Sequence, residues 1–334
     1  MSEVKRGETD MSENEIEIER EKNTEASGRE PCGAVVVDKE AGMTSFAVVK
    51  CMRHIFGVKS VGHTGTLDPD ATGVLIMLVG RAVKAASYVT VKKKRYTACL
   101  KLGVRTDTED MSGKVISIAN SLPSDVEVER AVSRFRGEYM QVPPMYSAVK
   151  MGGQKLVNLA RRGITVDRAP RRVEIYSIEI IGTEGYGEYV LDVSCSSGTY
   201  IRTLCADIGF SLGCGGCMKW LRRTEVGNFT LADAHTTQEI SENPLGFIIP
   251  TEELFTEIPK IYFSRGDALT LFNGGTLGVG EDDIVRVPGS PAPEGARAHE
   301  LCGLYSDGKF FALGRVNKGT AKTVKLFTIN PDEI

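Results

Sequence analysis

Nowhere does this 334-residue chain carry an apolar run approaching the about 20 residues that a helix needs to cross a bilayer. Its first thirty residues are acidic and polar where a secretory signal would be apolar, so a membrane span and export are both disfavoured and a cytoplasmic site is expected. The eight cysteines form no disulfide-like framework and are expected to be reduced thiols. Cys214 and Cys217 make a lone C-x-x-C, but no second pair stands at zinc-site spacing and the four histidines are scattered, so no metal site is expected. An excess of positive charge is missing too, since the formal net charge is −3. The charge is unevenly spread, however. Lys and Arg stand against Asp and Glu as 5 to 10 in residues 1–30, 27 to 21 in residues 31–240 and 9 to 13 in residues 241–334. Phosphate binding responds to local basic surface rather than to whole-chain charge, so a nucleic-acid partner stays admissible for the central body.

What is present is enough apolar sequence for one large domain and a smaller one. Residues 1–30, rich in Glu, read as a disordered acidic tail. The ordered body opens with a strand, Ala34 to Val37, and a helix from about Thr44 whose Phe46, Val49, Met52 and Phe56 are expected on one buried face. Ala71 to Val79 reads as a buried strand and Tyr96 to Leu102 as a half-buried one. Ser124 and Glu127 form a capping box for a helix running to Phe135, and a further helix is expected over Gln154 to Arg162. Ile175 to Ile181 and Tyr189 to Val193 predict a strand pair joined through Gly185 and Gly187, with a helix starting near Thr199. Strands adjoin strands too often for a βαβ repeat, so the class is α+β with a mixed sheet. A boundary is expected near Asn243 and Pro244, giving a body of residues 31–245 and a second domain of residues 246–334. That domain should hold short strands, a helix around Gly266 to Phe272, a Gly274-Gly275 turn and a mobile loop over residues 281–299.

The stretch GHTGTLDPDATGVL, residues 62–75, carries the chemistry. Pro69 fixes its own φ and denies the α region to Asp68, which is thereby held extended in a stiff turn between two apolar runs. An Asp before Pro usually caps its own turn, so the local pattern leaves a structural and a catalytic role both open.

Four further segments follow in order: KKKRYTACLKLGVRTDTEDMSG at 92–113, PPMYSAVKMGGQKLVNLARRG at 143–163, CSSGTYIRTLCADIG at 195–209 and LRRTEVGNFTLADA at 221–234. With the first they resemble the TruB family of tRNA pseudouridine synthases over roughly residues 31–240. The resemblance implies a pseudouridine synthase catalytic domain with a central mixed, largely antiparallel sheet flanked by helices, and a small β-rich, PUA-like C-terminal domain. It implies isomerisation of uridine 55 in the T-loop of tRNA, without metal, redox cofactor or nucleotide, by a monomer with no obligatory protein partner. Asp68 would be the catalytic carboxylate, kept ionised by Arg202, whose place near a helix start suits a cation badly unless a specific partner is there. Tyr96 would lie against the target base and help remove the C5 proton, while Tyr200 and Leu221 would line the uracil pocket. Without the resemblance, Tyr96 would read as one more aromatic in an alternating strand, and Tyr200 and Leu221 as core residues. His63 would fill the space left by the flipped nucleotide, a task suited to a flat ring that stacks and hydrogen-bonds.

A basic segment over residues 150–172 holds Lys150, Lys155, Arg161, Arg162, Arg168, Arg171 and Arg172 against one acid, Asp167. Such a run is usually a solvated face. Here it resembles an RNA-clamping insertion, about residues 143–172, of stand-alone bacterial members, and this favours them over guide-RNA-dependent relatives. Lys92, Lys93, Lys94 and Arg95, with Arg222 and Arg223, are expected to extend the phosphate track. Two other classes compete: a non-catalytic tRNA-binding or RNA-folding protein on the same scaffold, and an aspartate-nucleophile hydrolase. The hydrolase is disfavoured because no metal-binding acids cluster near Asp68 in the sequence.

Overall fold

The computed structural model of the chain describes residues 30–89, 93–285 and 300–334. The expected N-terminal tail, except for Glu30, lies outside the described residues, as do Lys92 and residues 286–299 of the expected loop.

The chain begins with β1 (Gly33–Lys39), α1 (Ser45–Phe56), β2 (Val61–His63) and β3 (Thr72–Val79). Thr44 caps α1 by accepting from the Ala47 N–H at 3.0 Å, and Gly57 ends it in the left-handed region at φ 61°. The buried stripe of α1 is Val48, Val49, Met52, Ile55 and Phe56. Phe46 is not part of it. At 100° per residue it falls well off the centre of that stripe, and it stands 58% exposed with the Lys50 ammonium over its ring.

β4 (Lys93–Leu102), β5 (Val104–Thr106) and β6 (Val115–Ile118) follow, then α2 (Asp125–Ser133), whose Ser124–Glu127 capping box is formed. After β7 (Gly137–Gln141) the expected helix over 154–162 shrinks to α3 (Leu156–Ala160), because Lys150–Met151 and Gln154–Lys155 pair instead as a small hairpin, β8 and β9. β10 (Arg171–Gly185) and β11 (Glu188–Ser196) form the expected antiparallel pair, and α4 (Ile201–Ser211), β12 (Gly216–Val226), β13 (Phe229–Thr230) and α5 (Thr237–Glu242) complete this part.

The large sheet runs β1-β3-β12-β4-β11-β10-β7, with β2 beside β3 and β13 beside β12. It is antiparallel except where β3 and β12 run parallel, pairing Thr72 with Arg222 and Gly73 with Arg223. β1 and β3 read as unbroken apolar runs because both faces are covered. Val35, Val37, Leu75, Met77 and Val79 join the main core with α1 and α4 residues, whereas Ala34, Val36, Val74, Ile76 and Leu78 pack against Ile249, Leu231 and Leu254. Gly73 makes the parallel contact possible. At φ 99°, a Cβ there would stand 2.1 Å from the Arg223 carbonyl oxygen. Through this pairing the turn before β3 comes beside β12, and α4 enters from the end of β11.

Beyond it lie β14 (Lys260–Phe263), α6 (Arg265–Phe272), β15 (Thr276–Gly278), β16 (Ile284–Val285), β17 (Glu300–Ser306), β18 (Lys309–Asn317) and β19 (Thr320–Leu326). These strands form a second sheet, β15-β19-β18-β17-β14-β16, around a separate core of Ile261, Leu271, Leu304, Phe311 and Ala321. Ala85, Phe255, Leu313 and Phe327 pack together between the two sheets. The architecture is the expected α+β body with a mixed sheet and a small β-rich C-terminal module.

Candidate active site

Asp68 sits in a turn whose two neighbouring residues are both pinned. Ser45 Oγ donates to the Leu67 carbonyl at 3.0 Å and accepts from the Leu67 N–H at 2.9 Å. The Pro69 carbonyl accepts from Lys39 Nζ at 2.8 Å and from the Gly42 N–H at 3.0 Å. Lys39 is fully buried at the end of β1 and also donates to the Glu40 and Met43 carbonyls, so all three ammonium protons are used. Burial pulls its pKa down to about 8, against the opposing pull of Asp70 and Asp68.

Arg202, the second residue of α4, meets this turn with a two-pronged grip. Its Nε lies 2.9 Å from Asp68 Oδ2 and its Nη2 donates to Asp68 Oδ1 at 3.3 Å. Nη1 also donates to the Thr108 carbonyl at 3.0 Å and Nη2 to the Tyr146 carbonyl at 2.9 Å. A second carboxylate, Asp110 Oδ2, stands 3.6 Å from Nη1, while its Oδ1 accepts from Thr108 Oγ1 and Ser112. Between them Glu109 adopts a left-handed φ of 64° and accepts from Thr203 Oγ1 at 2.5 Å. Burial pushes the half-buried Asp68 carboxyl above its ordinary range, the Arg202 charge opposes this, and Asp110 adds to it.

The pair opens on a cleft of about 760 Å³ lined by Asp68, Arg202, Tyr146, Arg161, Trp220 and Leu221, among others. Leu221 and Asp68 thus line the same cleft. Tyr96, Tyr200 and His63 are not among the residues that line it. Tyr96 is 6% exposed on β4, opposite Arg223, and burial raises its phenol to about 12 while the Arg223 charge opposes the rise. Tyr200 is held by Gln141, whose Oε1 accepts from the Tyr200 N–H at 2.8 Å and whose Nε2 donates to its carbonyl at 3.1 Å. His63 is half-buried on β2, its pKa lowered by burial and by Arg223, and its Nδ1 has no hydrogen-bond partner among the described residues.

The basic residues divide. Arg161 lines the cleft and, like Arg171, is exposed. Arg162 donates to Gln154 Oε1 at 2.8 Å, and Arg172 pairs with Glu138. Lys93 is exposed and Lys94 half-buried, but Arg95 is committed to Asp192 and Glu225. Of the expected phosphate track through Arg222 and Arg223, the structure removes Arg223 from the surface and pairs Arg222 with an acid. Arg222 pairs with Asp38 at 2.7 Å, and Arg223, 1% exposed, donates to the Val74, Thr66 and Gly65 carbonyls. Alternation along β12 turns this side chain inward. Cys214 and Cys217 have separate neighbours, the Gly209 and Gly215 carbonyls for the first and Met111 for the second.

Lys39, Asp110, Tyr146 and Gln141 were missed in the sequence, and Arg223 was given a surface role that its burial rules out. A lysine closing an apolar strand, and an acid in DTEDMSG, were the available signals for the first two. Contacts to backbone carbonyls, which carry most of these roles, leave no residue-type signature.

A family model described as the TruB family pseudouridylate synthase N-terminal domain matches residues 53–201, and one for the tRNA pseudouridylate synthase B C-terminal domain matches residues 202–246. The tRNA pseudouridine synthase B of Clostridium tetani (strain Massachusetts / E88) is 41% identical over 301 residues, which cover 88% of this chain and 99% of that protein. Its namesake from Alkaliphilus oremlandii (strain OhILAs) is 44% identical over 248 residues, covering 73% of this chain and 82% of that one. Among solved structures, a crystal structure of a Cbf5-Nop10-Gar1 complex is similar in fold, with a TM-score of 0.68 at 24% identity over 89% of this chain and 85% of that one.

Proposed function

This chain belongs to the TruB family of pseudouridine synthases, and from that premise we propose that its target is uridine 55 in the T-loop of tRNA, with Asp68 as the group that drives the isomerisation. The protein is a tRNA pseudouridine synthase, an isomerase. The single observation that carries the site assignment is the paired grip of Arg202 on Asp68 at the wall of a cleft large enough for a flipped nucleotide.

In this reaction the C1′–N1 bond breaks, the freed uracil turns, a C1′–C5 bond forms, and the proton on C5 leaves as N1 gains one. Nothing is oxidised or reduced. Asp68 must be ionised to serve either as nucleophile or as the electrostatic partner of the sugar, and burial works against this. Arg202 supplies the opposing charge and fixes the carboxylate plane. Leu221 gives the detached base an apolar wall. Tyr96 approaches the base from the sheet and assists loss of the C5 proton, Tyr200 shapes the pocket from the α4 end, and His63 takes the place of the displaced nucleotide. Arg161, Arg162, Arg171 and Arg172 belong to a clamp over residues 143–172 that holds the T-arm, with Lys93 and Lys94, and Lys92 outside the described residues, on the second flank.

Residues 31–245 then act as the catalytic domain and residues 246–334 as a PUA-like RNA-binding module. The enzyme works as a cytoplasmic monomer without cofactor or guide RNA. Purified protein mixed with unmodified tRNA transcript, and nothing else, tests the reading by pseudouridine mapping. Product at position 55 supports it. Binding without product would instead favour a non-catalytic tRNA-folding protein on this scaffold.

A further inference from the structure

Glu109 differs from its neighbours in its backbone and in what its side chain touches. Among the described residues, three that are not glycine have a positive φ: Glu109, Asp307 and Lys318. Asp307 and Lys318 each precede a glycine in the two-residue turns between β17 and β18 and between β18 and β19, where that geometry is ordinary. Glu109 stands in no such turn. It lies in the loop over residues 107–114, between β5 and β6, at φ 64°, a region that a long side chain occupies only when its surroundings hold it there.

What holds it is contact with two elements. The Glu109 carbonyl accepts from the Met218 N–H at 2.9 Å, and the Met111 N–H donates to the Met218 carbonyl at 3.1 Å, so this short stretch lies along β12. The Glu109 carboxylate reaches α4, where it accepts from Thr203 Oγ1 at 2.5 Å. Thr203 is buried and directly follows Arg202. Every other residue of the 107–114 loop lines the cleft on which Asp68 and Arg202 open, and Glu109 does not.

The residues on either side of Glu109 both meet Arg202. The Thr108 carbonyl accepts from Nη1 at 3.0 Å, and Asp110 Oδ2 stands 3.6 Å from the same nitrogen. With an ordinary φ at residue 109 the chain would leave in another direction, and these two groups would not converge on one nitrogen. The left-handed turn therefore serves Arg202, and the bond from Thr203 is the side-chain contact that opposes its relaxation. We propose that Glu109 is a positioning residue for the catalytic pair: its bond to Thr203 holds the turn that aims Thr108 and Asp110 at Arg202, and Arg202 in turn fixes the Asp68 carboxylate. The inference deepens the reading of Asp68 and Arg202 given above and rests on it.

Burial pushes the Glu109 carboxyl above its ordinary range, against the Thr203 bond and the Arg202 and Arg168 charges. The lock does not depend on the outcome. A hydroxyl donates equally to a carboxylate, to the carbonyl oxygen of a neutral carboxyl or to an amide oxygen. An acceptor of the right reach is thus required and a charge is not, which separates the lock from an electrostatic effect on Arg202.

The test compares single-turnover pseudouridine formation on unmodified tRNA transcript with affinity for the same RNA, in variants whose folding is checked by thermal melting. Glu109→Gly frees the backbone and removes the lock, so turnover should slow by about ten- to a hundredfold while affinity stays within about twofold. Thr203→Val keeps the shape, removes the donor and should cause a loss of the same size. Joined, the two changes should cost no more than either alone, because both delete one contact. Glu109→Gln keeps an acceptor for Thr203 and should recover most of the rate. A folded Glu109→Gly with the wild-type rate would make the side chain a passive occupant of the turn and overturn the proposal. Equal losses of rate and affinity would place residue 109 on the RNA surface, and a Glu109→Gln as slow as Glu109→Gly would make charge rather than the bond the cause; either result overturns it. If Glu109→Gly does not fold, Thr203→Val reads the same contact from α4, where a slowed rate at unchanged affinity supports the proposal and a wild-type rate overturns it. A wild-type protein that forms no pseudouridine in the transcript would overturn the tRNA reading and this inference with it, whereas an active wild type with unaffected variants would overturn this inference alone.

Discussion

Arg202 and Asp68, separated by 134 residues in the chain, share two contacts, Nε to Oδ2 at 2.9 Å and Nη2 to Oδ1 at 3.3 Å. The guanidinium sits in the first turn of α4, where the helix dipole disfavours a cation, and two carboxylates, Asp68 and Asp110, more than offset this. Its remaining donors reach the Thr108 and Tyr146 carbonyls. The arginine therefore ties three loops to one carboxylate, so its position is set by parts of the chain that have no other reason to meet.

Replacing Asp68 by Asn should abolish turnover while leaving tRNA affinity nearly unchanged, because the amide keeps the shape and loses the charge and nucleophilicity. Single-turnover pseudouridine formation and filter binding on the same preparation check this. Residual turnover within about tenfold of wild type would remove Asp68 from the chemistry.

Arg202→Lys keeps a charge but cannot span Asp68 and both carbonyls, so kcat should fall more than affinity. The acid limb of the wild-type rate profile should lie above the ordinary carboxylate range, since burial raises Asp68. Arg202→Met should move that limb to higher pH still, because the largest force opposing the rise is gone. An unmoved limb with weakened binding would make Arg202 a phosphate contact.

Much of this arrangement was legible in the sequence, and the parts that were not have a common cause. Periodicity exposes β1, β3 and α1 because each has one solvent relationship along its length, yet it misassigned Phe46 by treating i, i+3 spacing as enough without centring the stripe. Asp68, Arg202 and Leu221 came through motif resemblance and do meet at one cleft. Arg223 did not obey its neighbours' pattern. In LRRT two adjacent arginines look alike, but strand alternation sends one to Asp38 at the surface and buries the other under the signature turn. Lys39 and Gln141 act on main-chain atoms, and those contacts exist only once the chain is folded.

Asp207 on α4 offers a stability test independent of RNA. Burial, with the nearby Glu109 charge, raises its pKa from 3.8 to about 6. A raised carboxyl favours the folded state fully below its unfolded value, and that contribution is lost as pH climbs from about 4 through about 6. Asp207→Asn should therefore gain thermal stability relative to wild type at pH 7.5 and show little of that gain at pH 4. Equal differences at the two pH values would mean that Asp207 keeps an ordinary pKa.

The arginines of residues 161–172 should not contribute equally, because only some of their charge is free. Arg161 and Arg171 are exposed without an acidic partner among the described residues, Arg162 is bonded to the neutral Gln154, and Arg172 is paired with Glu138. Neutralising Arg161, Arg162 and Arg171 together should weaken binding of a T-arm hairpin and lower its salt slope by about three, at about one per lost phosphate contact. Arg172→Gln alone should change the slope by much less than one, since its charge is already shared. Removing Glu138 as well should not restore what the triple variant loses. Affinity for the hairpin across a salt series decides the matter, and a slope unchanged in the triple variant would mean that this segment faces solvent and that the RNA is held by the Lys93–Lys94 flank and the C-terminal module.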